Sequence, residues 1–503
     1  MLVLDGAPLE CARVAAAARD AEPAELTAAA LDRIAAAHRG AAAAAERRPV
    51  YGRSTGVGAN RGVPVSGAGH GRRLLRSHAA AAGRPLPPAA VRAMLIVRLN
   101  QLAAGGSGVS PGTARALLRM LNEGALPTVR EHGSVGTGDL AALAGTALTL
   151  LGERHASAPW TPPADFDETD ALPLISSNAL TLARTALAVA EVEPLLRAAA
   201  VAAALSVAAT DGNPEAFSAA AGAVGASGGA AAVAERMRTL LGPDRGTPAR
   251  IQDPFGFRTV PQVLGIAADT LAELAGATAA LTGTAQENPL VAADGDGRPQ
   301  VVHHGGFHMA ALTLRLDALR LALAQSAPAL LGRLRALSEP RIPGAAPFLA
   351  SGPAGSSGTM VLEYTAASAY GALRAAAAPA SLETAVLSRG VEDDASFAPL
   401  AARQLERAVE ALRPLIACEL LDAARAVALR GGPDAAPGLP PPLREAYRIF
   451  RAAGGTPEDT ADRDLQADLT AAEHALRPLA GLLAPLLPVP APLTGAPPAL
   501  IRP

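Results

Sequence analysis

Long apolar stretches with helical rather than alternating spacing run through most of the chain. This pattern predicts helices over residues 74–82, 88–104, 111–123, 139–152, 178–210, 259–284, 309–338, 360–378 and 396–430, with a further helix near 459–485. Several of these exceed the usual length of a globular helix. The sequence therefore predicts an all-α protein whose body is a bundle of long near-parallel helices.

Breaks in the pattern suggest three segments. Residues 1–175 begin with a short extended stretch and two amphipathic helices, followed by a loop rich in Gly, Asn, Ser and Pro at 51–71. Residues 176–432 form the predicted central bundle of long helices. Residues 433–503 contain the end of a Pro/Gly linker, a helical segment and a proline-rich tail. We treat the three segments as predicted domains.

Composition narrows the classes of function. The formal net charge of -2 and the lack of a basic stripe argue against a nucleic-acid-binding surface. All 44 basic residues are arginines, which excludes a Schiff-base lysine. The two cysteines lack metal-ligand spacing, so we expect two free thiols, no metal and a cytoplasmic protein. Charges interrupt the apolar runs, and we expect no signal peptide and no membrane span.

One motif suggests a family. Gly133-Ser-Val-Gly-Thr-Gly-Asp-Leu-Ala-Ala-Leu-Ala144 resembles the signature of the aromatic amino acid ammonia-lyases, Gly-Ser-Val-Gly-Ala-Ser-Gly-Asp-Leu-Ala-Pro-Leu-Ala. In that family Ala-Ser-Gly cyclises and dehydrates into an electrophile, the methylidene-imidazolone (MIO). Here one residue is missing and the serine is absent, so Gly136, Thr137 and Gly138 stand in that place.

A second motif, Tyr51-Gly-Arg-Ser-Thr-Gly-Val-Gly58, resembles the family's Tyr-Gly-Val-Asn-Thr-Gly-Phe-Gly. The resemblance implies that Tyr51 is the catalytic base on an inner loop. Near an arginine or a helix N-terminus, such a phenol could titrate low enough to accept a carbon-bound proton. The order of elements is also similar to that of bacterial histidine ammonia-lyase. It implies that fold, a homotetramer, and active sites built from three subunits.

A third motif, Gln252-Asp-Pro-Phe-Gly-Phe-Arg258, resembles the family's Gln-Asp-Xaa-Tyr-Ser-Xaa-Arg. The resemblance implies that Arg258 holds a substrate carboxylate, an anion that a planar guanidinium suits. Gln252 is expected to orient the substrate. Phe255 stands where the family has a tyrosine, which removes a hydroxyl donor from the wall that faces the electrophile.

The resemblance assigns further residues to the site. Ser176 and Gly306 stand where the family has asparagine, and Val391 stands where it has glutamine, whereas Glu392 keeps the family's acidic residue. Glu392 is expected to bind a substrate amine or to act as a second acid or base. The remaining residues expected around the substrate are His78, His308 and Phe348. Arg98 and Asn100 are expected to brace the loop beneath the site.

Asp139 stands where a helix is expected to begin, and its side chain is predicted to cap that helix. The backbone of Gly136, Thr137 and Gly138 would then lie at the positive end of the helix. There it could serve as an oxyanion hole for an enolate.

Three functions follow from these motifs. The main prediction is an enzyme of the ammonia-lyase fold without MIO or another cofactor. In it Tyr51 abstracts a proton next to a carbonyl of a small carboxylate- or thioester-bearing substrate, and carrier-bound and CoA-bound substrates are included in this prediction. The first alternative is a true ammonia-lyase or aminomutase whose Gly136, Thr137 and Gly138 still form MIO. Dehydration of Thr137 would then leave an extra methyl group on the electrophilic carbon. The second alternative is a non-catalytic partner of another lyase subunit.

Overall fold

The computed structural model describes residues 1–65, 69–224, 227–243, 248, 250–339, 346–434 and 439–486. The predicted proline-rich tail and the middle of the predicted linker lie outside these residues. The first part of the chain contains α1 (Cys11–Arg19), α2 (Ala28–Arg47), α3 (His70–His78), α4 (Pro88–Ala104), α5 (Pro111–Asn122), α6 (Leu140–Leu150) and α7 (Ala171–Ile175).

The remaining helices form the body of the molecule. They are α8 (Ala179–Ala209), α9 (Ala219–Ala223), α10 (Gly228–Leu241), α11 (Phe255–Arg258), α12 (Val260–Thr282), α13 (Ala310–Ser338), α14 (Val361–Ala376), α15 (Ala398–Leu429), α16 (Pro441–Ala452) and α17 (Gln466–Ala480). The predicted all-α class with a bundle of long helices is therefore confirmed.

Three small two-stranded sheets accompany the helices. Strands β1 (Leu2–Leu4) and β2 (Ala24–Leu26) pair in parallel, with Leu2 opposite Ala24. The antiparallel pairs are β3 (Ala82–Pro85) with β4 (Arg130–His132), and β5 (Leu290–Ala293) with β6 (Pro299–Val302). The hairpin of β5 and β6 packs on α2 and leads directly into the segment that precedes α13.

Helix α8 is the centre of the bundle. It packs against α4, α12, α15 and α17, and most of its side chains are buried. Alanine fills many of these positions, which favours helix formation and allows neighbouring helices to approach closely. Helix α8 and helix α12 are each long and apolar enough to cross a membrane by length and composition alone. In both, most of the apolar window is buried inside the protein.

The apolar pattern located the long helices well. Helix α4 has the predicted bounds, because Pro88 occupies its first turn and Gly105, with a φ of 85°, ends it. Helices α10 and α16 and the β5–β6 hairpin were not predicted. Glycines at the start of α10, prolines at the start of α16 and the Asp-Gly-Asp-Gly run between β5 and β6 are signals for loops, and they outweighed the helix or strand residues that follow them. The division into three domains stays a prediction.

A buried carboxyl group lies in the middle of α15. Asp422 is fully buried, and its two carboxylate oxygens lack hydrogen-bond partners at ordinary distance among the described residues. Desolvation raises the pKa of Asp422 to about 7, although the Thr359 hydroxyl and the Arg425 guanidinium act in the opposite direction. The folded protein therefore keeps this proton at a pH where the unfolded chain, with a pKa near its ordinary value, has lost it.

This carboxyl group makes stability depend on pH. Because the pKa of Asp422 is raised in the folded state, protonation of this group stabilises the fold. That stabilisation is fully present below the unfolded-state pKa and is lost as the pH rises through about 7. The loss amounts to as much as about 4 kcal/mol of unfolding free energy. We expect Asp422→Asn to flatten the fall in melting temperature between about pH 4 and about pH 8, with exposed Asp296→Asn as control. Equal pH dependence in Asp422→Asn and the unchanged protein would contradict this.

Candidate active site

One cavity of about 860 Å³ gathers residues from six parts of the chain. Its walls come from residues 49–61, the end of α3, the turn before α6, the end of α7, the segment before α13 and the turn before α15. The predicted site residues that line it are Tyr51, His78, Thr137, Ser176, His308 and Glu392. The tertiary structure thus brings together six residues that are far apart in the sequence.

The loop that carries Tyr51 is held in a closed turn. The Gly58 amide donates a hydrogen bond to the Tyr51 hydroxyl oxygen at 2.8 Å, and the Ala59 amide donates to the Ser388 hydroxyl oxygen at 2.8 Å. Gly58 has a φ of 55°, and a Cβ there would lie 2.4 Å from the Ser388 oxygen. The same Cβ would lie 3.7 Å from a carboxylate oxygen of Glu392, which places that carboxylate beside the loop.

The protonation of Tyr51 differs from the expectation. Burial raises the pKa of the Tyr51 phenol, and the negative charge of Glu392 raises it further. The Gly58 amide and the Arg61 guanidinium lower the pKa, but they do not outweigh burial. Within a single chain, therefore, no neighbouring cation among the described residues brings the phenol into an easily deprotonated range.

Thr137 lies in a tight turn between two glycines. The Ser134 hydroxyl donates to the Gly138 carbonyl at 2.9 Å and accepts from the Gly136 amide at 3.3 Å. Gly136 and Gly138 have φ values of 98° and 111°, which glycine adopts without strain. A Cβ at Gly136 would lie 2.1 Å from the Ser396 hydroxyl oxygen. The turn as built thus requires glycine before Thr137.

This turn corrects two predictions. The Asp139 carboxylate, predicted to cap its own helix, accepts instead from the Thr181 amide at 2.8 Å and the Thr181 hydroxyl at 3.0 Å. Because Thr181 lies in the first turn of α8, the Asp139 carboxylate caps α8 and not α6. The Asp139 backbone amide donates to the Ser177 carbonyl at 2.7 Å, and this bond holds the starts of the two helices side by side. The Gly136 amide, expected in an oxyanion hole, is occupied by Ser134.

A buried ion pair and several hydrogen bonds hold the residues at the base of the cavity in place. Arg98 is fully buried and forms an ion pair with buried Glu287, with 2.7 Å between nitrogen and oxygen. It also donates to the Leu174 carbonyl at 3.1 Å. The Asn288 amide donates to the Ser176 hydroxyl at 3.1 Å. These contacts agree with the bracing role expected of Arg98, whereas Asn100 holds the N-terminal segment through the Gly6 amide.

Three polar side chains complete the walls. His308 lies with its Nε2 3.4 Å from a carboxylate oxygen of Asp394. His78 bonds through Nδ1 to the Leu74 carbonyl of its own helix at 2.9 Å. Glu392 is fixed through its backbone, whose carbonyl accepts from the Leu387 amide at 2.7 Å. The cavity is consequently rich in groups that bind polar or cationic parts of a small molecule.

The third motif, residues 252–258, lies outside this cavity. Gln252 and Phe255 are exposed on the surface at α11, and Phe255 keeps 68% of its accessible area. The Arg258 guanidinium lies 4.4 Å from the centre of the Phe255 ring. Phe348, in an irregular turn with a φ of 60°, also lies outside the cavity lining. Within one chain, therefore, Gln252, Phe255, Arg258 and Phe348 all lie outside the cavity that contains Tyr51.

Several cavity residues escaped the sequence analysis. They are Arg61, Asn288, His303, Ser388 and Asp393. A cis peptide joins Asn288 to Pro289, and the Asn-Pro pair and the adjacent histidines before α13 were the only local signals for this wall. Ser388 is placed by a turn in which it has a φ of 51°, and such a conformation could not be expected of serine from its sequence.

Comparison with known proteins identifies the family. A sequence model of the aromatic amino acid lyases matches residues 9–452. The chain belongs to the aromatic amino acid lyase family. It is 34% identical over 461 residues to a histidine ammonia-lyase of Streptomyces coelicolor, covering 87% of this chain and 88% of that protein.

Solved structures of lyase-family proteins have the same fold. Histidine ammonia-lyase from Trypanosoma cruzi superposes with a TM-score of 0.84 at 27% identity, covering 95% of this chain and 93% of that one. Ergothionase, an ergothioneine degrading enzyme from Treponema denticola, superposes with a TM-score of 0.86 at 26% identity. That match covers 96% of this chain and 99% of the other. The predicted family is thereby confirmed.

These relatives overturn the main functional prediction. The chain is similar over most of its length to histidine ammonia-lyases, which favours the first alternative, a true lyase with a self-derived electrophile. The prediction of an enzyme without MIO, and of no cofactor, is therefore wrong. That prediction rested on one motif, which is one residue shorter than the family's and lacks its serine. The similarity to histidine ammonia-lyases, in contrast, extends over nearly the whole chain.

Proposed function

We propose that this protein is an ammonia-lyase of the MIO type that acts on an aromatic amino acid, with histidine as the first substrate to test. The observation that carries the proposal is the position of Thr137, which lines the same cavity as the predicted base Tyr51. The histidine ammonia-lyase relatives support the choice of substrate.

The turn at Thr137 contains the atoms that the prosthetic group needs. The nitrogen of Gly138 can attack the carbonyl carbon of Gly136, and the five-membered ring that results loses its oxygen as water. Thr137 then loses its Cα hydrogen and its hydroxyl group as a second water. Glycine at both flanks allows the positive φ values of this turn. The group would be held by Ser134, through the Gly138 carbonyl, and by the start of α6.

The prosthetic group supplies an electrophilic carbon that activates the substrate for loss of its amine. Tyr51 removes a proton from the carbon adjacent to the one that bears the departing amine, and the electrons of that C–H bond form the new double bond. Glu392 attracts the substrate's cationic groups. His308, oriented by Asp394, contacts the aromatic ring of the substrate from the adjacent wall. His78 and Ser176 close the remaining sides of the cavity.

A neighbouring subunit is proposed to complete the site. Gln252 and Phe255 are exposed and Arg258 is half-buried beside them, all three outside the cavity of their own chain. In a homotetramer with shared sites, Arg258 of one subunit would bind the substrate carboxylate in the cavity of another. Its positive charge would also oppose the effects that raise the pKa of the Tyr51 phenol. We propose that Phe348 likewise lines the cavity of a neighbouring subunit. We also propose that the protein acts in the cytoplasm.

Mass spectrometry tests the proposal directly. Arg130 and Arg154 flank the turn with no arginine between them, so trypsin releases residues 131–154 as one peptide. We expect this peptide and the intact protein to be lighter than their sequence masses by two water molecules. We also expect ammonia release from histidine, with ergothioneine and other aromatic amino acids as comparison substrates. An unmodified peptide would contradict the self-derived electrophile, and absence of ammonia from every amino acid would contradict the lyase activity.

A further inference from the structure

A histidine that the motifs did not reveal lies directly against Tyr51. The backbone amide of Tyr51 points at Nε2 of His303, with 3.4 Å between the nitrogens. The two rings meet edge to face, with their centres 6.4 Å apart and their planes at 86°. Because the tyrosine supplies an N–H group to this contact, the His303 nitrogen must act as the acceptor.

The next residue anchors His303 to the floor of the cavity. His304 bonds through Nε2 to the Glu287 carbonyl at 2.7 Å and accepts the Gly306 amide at Nδ1 at 2.8 Å. Its own amide donates to the Asn288 side-chain oxygen at 3.0 Å. Glu287 is in turn held by the buried Arg98. The position of His303, whose own side chain is exposed, is therefore fixed through a hydrogen-bond network that ends at the buried pair of Arg98 and Glu287.

The groups around His303 disfavour its charged form. Desolvation of the ring, the positive charge of Arg48 and the neighbouring His304 all lower the pKa of His303. Arg48 reaches this place from the end of α2, where it donates to the Val301 carbonyl. The Tyr51 ring also faces His303, edge to face. The imidazole is consequently kept as an acceptor at neutral pH.

We propose that His303 is a positioning residue for Tyr51, which holds the loop in place as a neutral hydrogen-bond acceptor and releases it when protonated. Protonation would put an N–H group opposite the Tyr51 amide, so that two donors face each other. The Tyr51 loop would then lose one of its ties to the cavity floor. This inference rests on the proposed function in so far as Tyr51 is the base.

Hydrogen exchange of the Tyr51 amide tests the contact without any activity. After correction for intrinsic rates, we expect the unchanged protein to protect this amide about tenfold better at about pH 8 than at about pH 5. His303→Phe keeps an aromatic ring but removes the acceptor, so protection should be low at both pH values. His303→Gln keeps an acceptor that does not titrate, so protection should not depend on pH. His474→Gln, at an exposed position of α17, is the matched control and should behave like the unchanged protein.

Turnover gives the second measurement. His303→Phe should lower kcat/KM by about tenfold or more, because a displaced base reacts poorly. His303→Gln should restore much of this loss and should shift the acidic limb of the pH profile to lower pH. Equal protection of the Tyr51 amide in His303→Phe and the unchanged protein would overturn the inference. If the unchanged protein releases no ammonia, the proposed function fails, whereas the exchange result still decides the role of His303.

Discussion

Replacing Thr137 by alanine is expected to abolish both the loss of two water molecules and the release of ammonia. Alanine has no hydroxyl group to eliminate, so the electrophilic double bond cannot form. We expect kcat/KM to fall by roughly a thousandfold or more, the scale on which loss of one essential catalytic group acts. Intact mass and an ammonia assay on the same preparation measure the two effects.

Serine at the same position is the informative companion. Thr137→Ser keeps the hydroxyl group and removes only the methyl group that would crowd the electrophilic carbon. We expect this variant to show the mass loss and to turn over at least as fast as the unchanged protein. A Thr137→Ala protein that folds normally and remains fully active would contradict the origin of the electrophile in this turn.

Replacing Tyr51 by phenylalanine is expected to lower kcat/KM by about a hundredfold to ten-thousandfold, which is the range for loss of a general base. The aromatic ring, and with it the contact to His303, is retained, so the loss reports the hydroxyl group. In the unchanged protein kcat/KM should rise with pH, because the pKa of the phenol is raised and the reactive form is the phenolate.

Tyr447→Phe serves as the control for this experiment. Tyr447 is buried in α16, and its hydroxyl group lies 3.5 Å from Glu458, remote from the cavity lining. Its removal should leave turnover unchanged. Full activity of Tyr51→Phe would instead exclude Tyr51 as the base.

Mixing variants extends the test to the shared site. Tyr51→Phe and Arg258→Met should each be inactive alone. If sites combine residues of different subunits, co-expression of the two should restore part of the activity, since some sites then contain both native groups. If co-purified mixed oligomers recover no activity, Arg258 and Tyr51 of different subunits do not share an active site.

The sequence located the long helices because helical spacing of apolar residues reports directly which face is buried. It also selected Tyr51, Thr137 and Glu392, since their motifs could be compared residue by residue with a family pattern. It failed for the hairpin of β5 and β6 and for α10. There the Asp-Gly-Asp-Gly run of 294–297 and the glycines at 228 and 229 indicated loops, and packing on α2 or α12 stabilises the observed elements.

Function was harder to derive than fold. One altered motif suggested that the electrophile had been lost, whereas similarity over most of the chain to histidine ammonia-lyases favours its retention. The cap predicted for α6 failed for a related reason. Asp139 does cap a helix, but the helix is α8, which only becomes adjacent through the tertiary fold.

By itself the sequence determined the helical class, the family and the residue types available for chemistry, because these depend on local pattern and on side-chain identity. The tertiary structure decided which of those residues share a cavity and in which protonation state. It placed His303 and Ser388 against the Tyr51 loop and left Arg258 outside the cavity. Such neighbours depend on how distant helices pack, and burial sets the pKa of a phenol only after that packing has formed.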